Sequence, residues 1–436
     1  DIGAEVEVDY YNYSDLNQKY SLLFSTGENF DIVFAANWVN YNQQAAKNSF
    51  MEITDEMLKK NAPKTYETLT ESAKNEAKVN GKMYMIPNTA AEYDINVALI
   101  RGDLREKYGM EPIETLDDFE TYLENVAKND KSIIPLVNLV AVGSFWGGYK
   151  NKVSRIEIPK GTEILYDVLE NKFEKKDFQQ YYRDQVKKTR EFVDKGIIPA
   201  DIVANKTIDN MFENGKAATY VKNLETCSSM AKKLRGSHPE WKVEICDFSQ
   251  GVPKIVNPSI SNGLALNRTT KNADKALQFI ELLRNDRRYF DLTWYGIEGK
   301  HWNADGDNGY VSLNSELPKK ERYEPGCVWG WKNQAMLRVD KTDIPEKQEI
   351  LNRWKQETIE SDIYGFIFDD TNVKTELASI SSVASQYGGP LYNGMIEQSK
   401  LDSSFKTYEE KLTQAGIDKV YEETLKQYKQ YQKTLK

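Results

Sequence analysis

A strand-then-helix pattern near the start of the chain returns at Asn262, after a stretch long enough to form a whole lobe. This recurrence constrains the fold more than any other feature. "FDIVFA" (30–35) is a continuous apolar run, which reads as a strand covered on both faces. "AEVEVDYY" alternates Val6 and Val8 with charged neighbours and predicts another strand. Between them a helix is expected from about Tyr13 to Ser25, ending at Gly27, a residue suited to a left-handed cap. The later segment "NGLALNRTTKNADKALQFIELLRND" repeats the pattern. "GLALN" is the strand, Asn272 the helix cap, and Ala276, Phe279, Ile280 and Leu283 the buried stripe. An α/β architecture with largely parallel sheets follows, and 436 residues favour two or more lobes.

The stretch between carries further elements. A turn at Asn80–Gly81 leads into "KMYMIPN", which Pro87 stops, and "EYDINVALI" (92–100) is strand-like. Thr115 is the expected N-cap of a helix over 115–129, with Leu116, Phe119, Leu123 and Val126 on one face. "SIIPLVNLVAV" (132–142) reads as a buried strand. At the C-terminus, Ile417, Tyr421, Leu425, Tyr428 and Leu435 form the apolar face of a helix expected to dock on the body.

Net charge is −9, with acids and bases interspersed, so the electrostatic footprint of a nucleic-acid binder is missing. No apolar run approaches the ~18 residues needed to cross a bilayer. Cys227, Cys246 and Cys327 are too scattered for a disulfide scaffold or zinc site. Cys227 and Cys246 could pair across the breakers Gly236, Ser237 and Pro239, or all three thiols could be free.

Catalytic signatures are absent. Neither His238 nor His301 accompanies a G-x-S-x-G elbow, and the chain has no HExxH, CxxC or phosphate-binding loop. "NADGDNGY" (303–310) fails as a calcium loop, because Asn308 stands where the sharp-turn glycine belongs and Asn314 where the bidentate Glu belongs. It reads as a polar hairpin. No metal or cofactor is expected. A glycosidase needs only two facing carboxylates, and Glu92, Asp94, Glu225 and Glu298 all lie near aromatics.

Four stretches share another chemistry: "AANWVNYNQQ" (35–44), "GSFWGGYKN" (143–151), "WYGIEGKHW" (294–302) and "CVWGWKNQ" (327–334). Each sets tryptophan among Gly, Asn, Gln or Lys. A pyranose ring offers a C–H face that stacks on indole and a rim of hydroxyls that wants polar partners. Trp38, Trp146, Trp294, Trp302, Trp329 and Trp331 are therefore candidate platforms. Glu92, Asn223, Glu298 and Asn333 are candidate hydrogen-bonding residues, with Tyr93 and Tyr220 beside them. "WYGIEGKHW" is expected on a loop, with Trp294 or Trp302 facing a ligand; Glu298 and Lys300 could instead pair and brace that loop.

These segments also resemble a known family. "GENFDIVFAANW", "NGKMYMIPNTAAEYDINVALIRGDLREKYGMEPIETLDDFETYLENV" and "SNGLALNRTTKNADKALQFIELL" resemble family 1 extracellular solute-binding proteins over nearly the whole chain. "YGIEGKHW" and "GFIFDDTNVKTELASISSVASQYGGPLYNG" are similar to their LipO-like lipoprotein branch. The resemblance implies a two-lobed periplasmic-binding-protein-like α/β fold with a hinge and an interlobe cleft. Lobe 1 is expected at 1–98 and 258–325, and lobe 2 at 99–257 and 326–436, which includes the C-terminal region. It implies capture of a carbohydrate, usually an oligosaccharide, by a monomer that delivers it to the membrane permease subunits of an ABC importer. The implied location is extracellular, lipid-anchored to the outer face of the cytoplasmic membrane. The family opens with a further strand and helix, a signal peptide and a lipobox cysteine, so a parent chain extending before Asp1 is expected. The competing expectations are an extracellular glycoside hydrolase or lyase, which would turn an oligosaccharide over, and a transporter-independent lectin with a shallow site.

Overall fold

In the computed structural model, which describes all residues except 12–15, 27–28, 90–91, 94, 160–161, 202–207, 360, 362, 364–365, 367 and 435–436, the apolar run at 30–35 forms the strand Ile32–Ala35. Its partner is the recurring segment. Gly263–Leu266 lies between Ile32–Ala35 and Met85–Pro87, pairing Ala35 with Gly263 on one side and Pro87 with Gly263 on the other. Both pairings are antiparallel, which corrects the expectation of a largely parallel sheet. The two flanking strands run the same way, and the strand laid between them runs in reverse. Gly263 permits this packing, since a Cβ there would stand 2.5 Å from the Ile86 carbonyl oxygen. The helix Ala273–Asn285 follows, burying Ala276, Leu277, Ile280 and Leu283. Phe279 of the expected stripe is only half-buried.

The chain forms two compact units. One comprises Asp1–Glu92 and Val256–Thr342, the other Tyr93–Ile255 and Asp343–Lys436. These boundaries differ from the expected lobes for two reasons. Asn96–Ile100 is the central strand of the second unit's sheet, between Glu244–Cys246 and Thr219–Asn223, so the first crossing precedes it. Residues 326–342 stay with the first unit, where Val339–Asp340 pairs with Gly309–Ser312 and Gly330 packs on Phe34 and Leu264.

The second unit has two hydrophobic cores. One gathers Val97, Leu99, Phe119, Leu123, Phe145 and Phe192. The other gathers Ile164, Tyr166, Tyr182, Phe405, Leu412, Val420 and Tyr428 under the hairpin sheet Arg155–Lys175 and the C-terminal helices. The helix Gln180–Asp194 joins them, placing Tyr182 and Val186 in one core and Phe192 in the other. The terminal helix Ile417–Thr434 docks through Ile417, Val420 and Tyr428; Leu435 lies outside the described residues.

Other elements depart from expectation. Val6 and Val8 are 46% and 57% exposed and form no strand, because the alternation finds no partner edge. The first helix spans Leu16–Thr26, with Tyr13 and the Gly27 cap outside the described residues. Residues 132–142 form no strand beyond a bridge from Ile134 to Ala217; their apolar side chains instead lead into the π-helical turn Val142–Gly148. All three cysteines are free.

Thr115 caps Leu116–Asn129 reciprocally. Its hydroxyl accepts from the Asp118 N–H at 3.1 Å, and the Asp118 carboxylate accepts from the Thr115 N–H at 2.9 Å. Because the cap is exposed, Thr115→Ala should lower the unfolding free energy by about 1 kcal/mol without opening a cavity. Urea denaturation of the two proteins measures the difference.

Candidate ligand-binding site

The first unit builds a wall of indoles at the start of its central strand. Trp38 sits on the turn Asn37–Val39, which leaves the strand Ile32–Ala35, and its Nε1 donates to the Ser261 carbonyl at 2.8 Å. The next residue, Asn262, donates through Nδ2 to Glu92 Oε2 at 2.9 Å. Lys332 Nζ holds the other carboxylate oxygen, Oε1, at 3.0 Å. Glu92 and Lys332 side chains remain 18% and 21% exposed, so the pair is partly open to solvent. The Glu92 carbonyl, accepting from the Asn257 N–H at 2.8 Å, fixes the backbone beneath it.

Trp329 and Trp331 flank Gly330 on the turn Val328–Trp331. A Cβ on Gly330 would lie 3.0 Å from Phe34 and 3.3 Å from the Gly263 carbonyl, and this close approach seats the turn on the strand. Phe34 links the platforms, with ring centroids 5.6 Å from Trp38 and 6.2 Å from Trp329. Asn88 donates to the Trp329 carbonyl at 2.8 Å, while its Oδ1 meets no donor among the described residues. Trp331 donates from Nε1 to Thr293 Oγ1 at 3.2 Å. Trp38, Trp329 and Trp331 are all half-buried, and Trp38 and Trp331 also pack against core side chains. Phe34, Asn88, Asn262 and Lys332 were not singled out by sequence reasoning. The signal for Lys332 was its place in "WGWKN", one residue after an indole; Asn262 carried none before its strand was located.

Several candidate residues are committed to folding instead. Asn333 is buried and donates to the Arg284 carbonyl at 2.9 Å, accepting in turn from the Ala335 N–H. Beneath it Arg284 is itself 1% exposed; burial pulls its guanidinium down to about 10, against the pull of Glu281. Trp302 is 3% exposed, and its indole N–H is held by the Gly296 carbonyl at 3.0 Å. The Arg338 guanidinium lies over its ring at 4.9 Å. This overturns the expectation that Trp302 faces a ligand.

Trp294 and Tyr295 end the helix Arg287–Tyr295 rather than belonging to a loop, because the helical periodicity of "RRYFDLTWY" carries on to the glycine. Trp294 stacks on Phe290 with centroids 5.3 Å apart. At Gly296 (φ 83°) the chain turns so tightly that a Cβ would stand 2.5 Å from His301 Nδ1. His301 accepts from the Ile297 N–H and binds the Glu321 carbonyl through Nε2, which makes it a structural residue. Glu298 is exposed, and Lys300 pairs with Glu321 at 3.8 Å rather than with Glu298. The stretch 303–310 does form the expected hairpin, between Trp302–Asp305 and Gly309–Ser312.

In the second unit, Trp146 is 5% exposed among Phe119, Phe145 and Phe192, and Tyr220 is 1% exposed and stacked on Phe212. Both are core residues, and at Trp146 the neighbouring Gly143 and Gly147 leave room for Tyr392 and Gln185 to approach. Asn223 is half-buried and caps the helix Leu224–Ser237 by accepting from the Thr226 N–H at 3.0 Å. Tyr93 is half-buried, with its hydroxyl 2.7 Å from Thr358 Oγ1.

Of the carboxylates considered for hydrolysis, Glu92 is neutralised by Lys332, Glu225 is exposed beside Lys347, and Asp94 lies outside the described residues. Among the described residues no group of three or more His, Cys, Asp or Glu side chains could hold a metal ion, and no helix is long and apolar enough to cross a membrane.

A chain built as two α/β units, with half-buried indoles near a paired carboxylate, suits the class of solute-binding proteins. Residues 1–293 match the model for bacterial extracellular solute-binding proteins, and the chain belongs to that family. Residues 362–433 match a domain of unknown function, DUF3502. The chain is 26% identical to a carbohydrate ABC transporter substrate-binding protein of Streptococcus pneumoniae serotype 4, over all of this chain and 86% of that relative. Its fold matches the crystal structure of the N-glycan transport solute-binding protein NgtS from Streptococcus pneumoniae, with a TM-score of 0.80 at 22% identity, covering 100% of this chain and 93% of that one. The alginate-binding protein AlgQ2 also shares the fold, with a TM-score of 0.67 at 15% identity, covering 94% of this chain and 88% of that one. The class is one of binding rather than catalysis.

Proposed function

We propose that the protein captures an oligosaccharide on the wall formed by Trp38, Trp329 and Trp331 and delivers it to an ABC importer. The observation that carries this reading is the placement of three half-buried indoles beside the Glu92–Lys332–Asn262 network on one strand end. The indoles supply stacking area for sugar C–H faces, and the network supplies hydrogen bonds to hydroxyls. Two likenesses support it: the carbohydrate-transport relative, and the family fold shared with NgtS, which was crystallised in complex with Man5GlcNAc. Tyr93 and Asn223 are proposed as further hydroxyl partners on their own unit. The protein acts as a monomer, with membrane permease subunits as partners and a lipid anchor holding it at the outer face of the cytoplasmic membrane.

A thermal-shift screen of the full chain against neutral oligosaccharides tests the reading, because a ligand that binds only the native state raises apparent stability. Trp329→Ala should then weaken the best hit by about 1–3 kcal/mol in isothermal titration, as loss of a central aromatic anchor does. Its unfolding midpoint should stay near that of the parent, since Trp329 is half-exposed. A screen with no hit, or a Trp329→Ala protein of full affinity, would remove the wall from the site.

A further inference from the structure

Among the described residues the wall combines apolar platforms with one partly exposed ion pair, which adds no net charge. Glu92 uses both carboxylate oxygens, one on Lys332 at 3.0 Å and one on Asn262 at 2.9 Å. Lys332 therefore meets a ligand carboxylate as a cation already compensated by Glu92. The other cation bonded into this region, Arg284, is 1% exposed, donates to the Pro87 carbonyl and is faced by Glu281, so it lies beneath the wall. The remaining polar groups bonded into the wall among the described residues are amides, hydroxyls and backbone carbonyls: Asn88, Asn262, Thr293 and Ser261.

From this we infer that Glu92 is a specificity-determining residue: by occupying Lys332 it makes the wall select uncharged glycans and reject acidic ones. The inference rests on the reading of this wall as the sugar site. The physical reason is discrimination by repulsion and unpaired charge. A uronate laid on the indoles would bring a carboxylate toward Glu92, and would have to share Lys332 with it to find a cation. The weakened pairing, together with the like-charge approach, opposes binding. A neutral hydroxyl needs neither step. It can donate to the outer lone pairs of Glu92 while Lys332 and Asn262 stay in place.

Glu92→Gln tests this directly. The substitution keeps shape and an acceptor for Lys332, removes the negative charge, and leaves Lys332 as an uncompensated cation on the wall. Isothermal titration of the parent and the variant would use Man5GlcNAc, kestose and maltotetraose, each also prepared with its primary hydroxyls oxidised to carboxylates. In the parent, at least one neutral member should bind and its oxidised counterpart should bind about ten-fold more weakly or less. In Glu92→Gln the gap should close by about ten-fold or invert, and the change should shrink at high salt as a charge effect must. Circular dichroism and the unfolding midpoint confirm that the variant is folded. Should it fail to fold, Lys332→Met in place of Glu92→Gln should widen the gap instead, because it leaves the carboxylate unneutralised. An oxidised glycan that binds the parent as tightly as its neutral partner overturns the inference, and so does an unchanged ratio in the variant; both leave the sugar-binding reading standing. Binding of no member of the panel overturns that reading and the inference with it.

Discussion

Trp302→Ala should lower the unfolding free energy of the first unit by about 3–5 kcal/mol, the range for truncating a buried tryptophan, while leaving glycan affinity of the folded protein unchanged. The indole is 3% exposed and touches groups from four directions. Tyr295 lies 5.6 Å and Tyr310 6.4 Å from it, centroid to centroid, the Arg338 guanidinium covers it at 4.9 Å, and the Gly296 carbonyl takes its N–H. Removing the ring also leaves that carbonyl without its donor and exposes Arg338, which is otherwise anchored to Asp291 at 2.8 Å. Urea unfolding followed by tryptophan emission, with titration of the best glycan at low urea, separates the two effects. A variant that is as stable as the parent but has lost affinity would move "WYGIEGKHW" back to the ligand.

Trp302 and Trp329 show where sequence reasoning reached its limit. Both sit among glycines and polar residues, and the pattern marks them alike. What separates them is tertiary. Trp302 begins a hairpin strand over Tyr295 and Tyr310, whereas Trp329 sits on a short turn held above the strand by Gly330. A glycine neighbour can mean an open recognition loop or a site where another element closes in, and Trp146 is the second kind. Local signals fared better. The strand at 32–35, the helix at 273–285 and the reciprocal cap at Thr115 depend on near neighbours in sequence, and each appears in the structure. Strand direction was not legible, because apolar runs look the same in parallel and antiparallel ladders. The Glu92–Lys332 pair spans 240 positions, and no periodicity reports a contact at that separation.

Asp177→Asn should flatten a pH dependence of stability that the parent shows between about pH 4 and 8. Asp177 is 1% exposed, in the core beneath the C-terminal helices, and its Oδ1 has no partner among the described residues. Tyr408 donates to Oδ2 at 3.4 Å. The titratable groups that face it are Glu163, Lys176, Tyr181, Tyr182 and Tyr408. Burial, reinforced by the Glu163 charge and opposed by Lys176, pushes the Asp177 carboxyl up to about 8. Lys176 is bonded to Glu163; burial lowers its own pKa, but Asp177 and Glu163 outweigh that and keep it raised. A carboxyl raised above its unfolded value of ~3.9 takes up a proton on folding. Its contribution to stability is therefore fully present below about pH 4 and is lost as pH rises through about 8. Across that window the loss is at most about 1.4 kcal/mol per pH unit. Asparagine keeps the volume and the neutral state at every pH, so the variant should match the parent near pH 4 and exceed it in melting temperature near pH 9. Differential scanning calorimetry at pH 4, 6 and 9 reads this out. Parallel pH slopes in the two proteins would show that Asp177 stays ionised in the fold, with Lys176 serving both carboxylates.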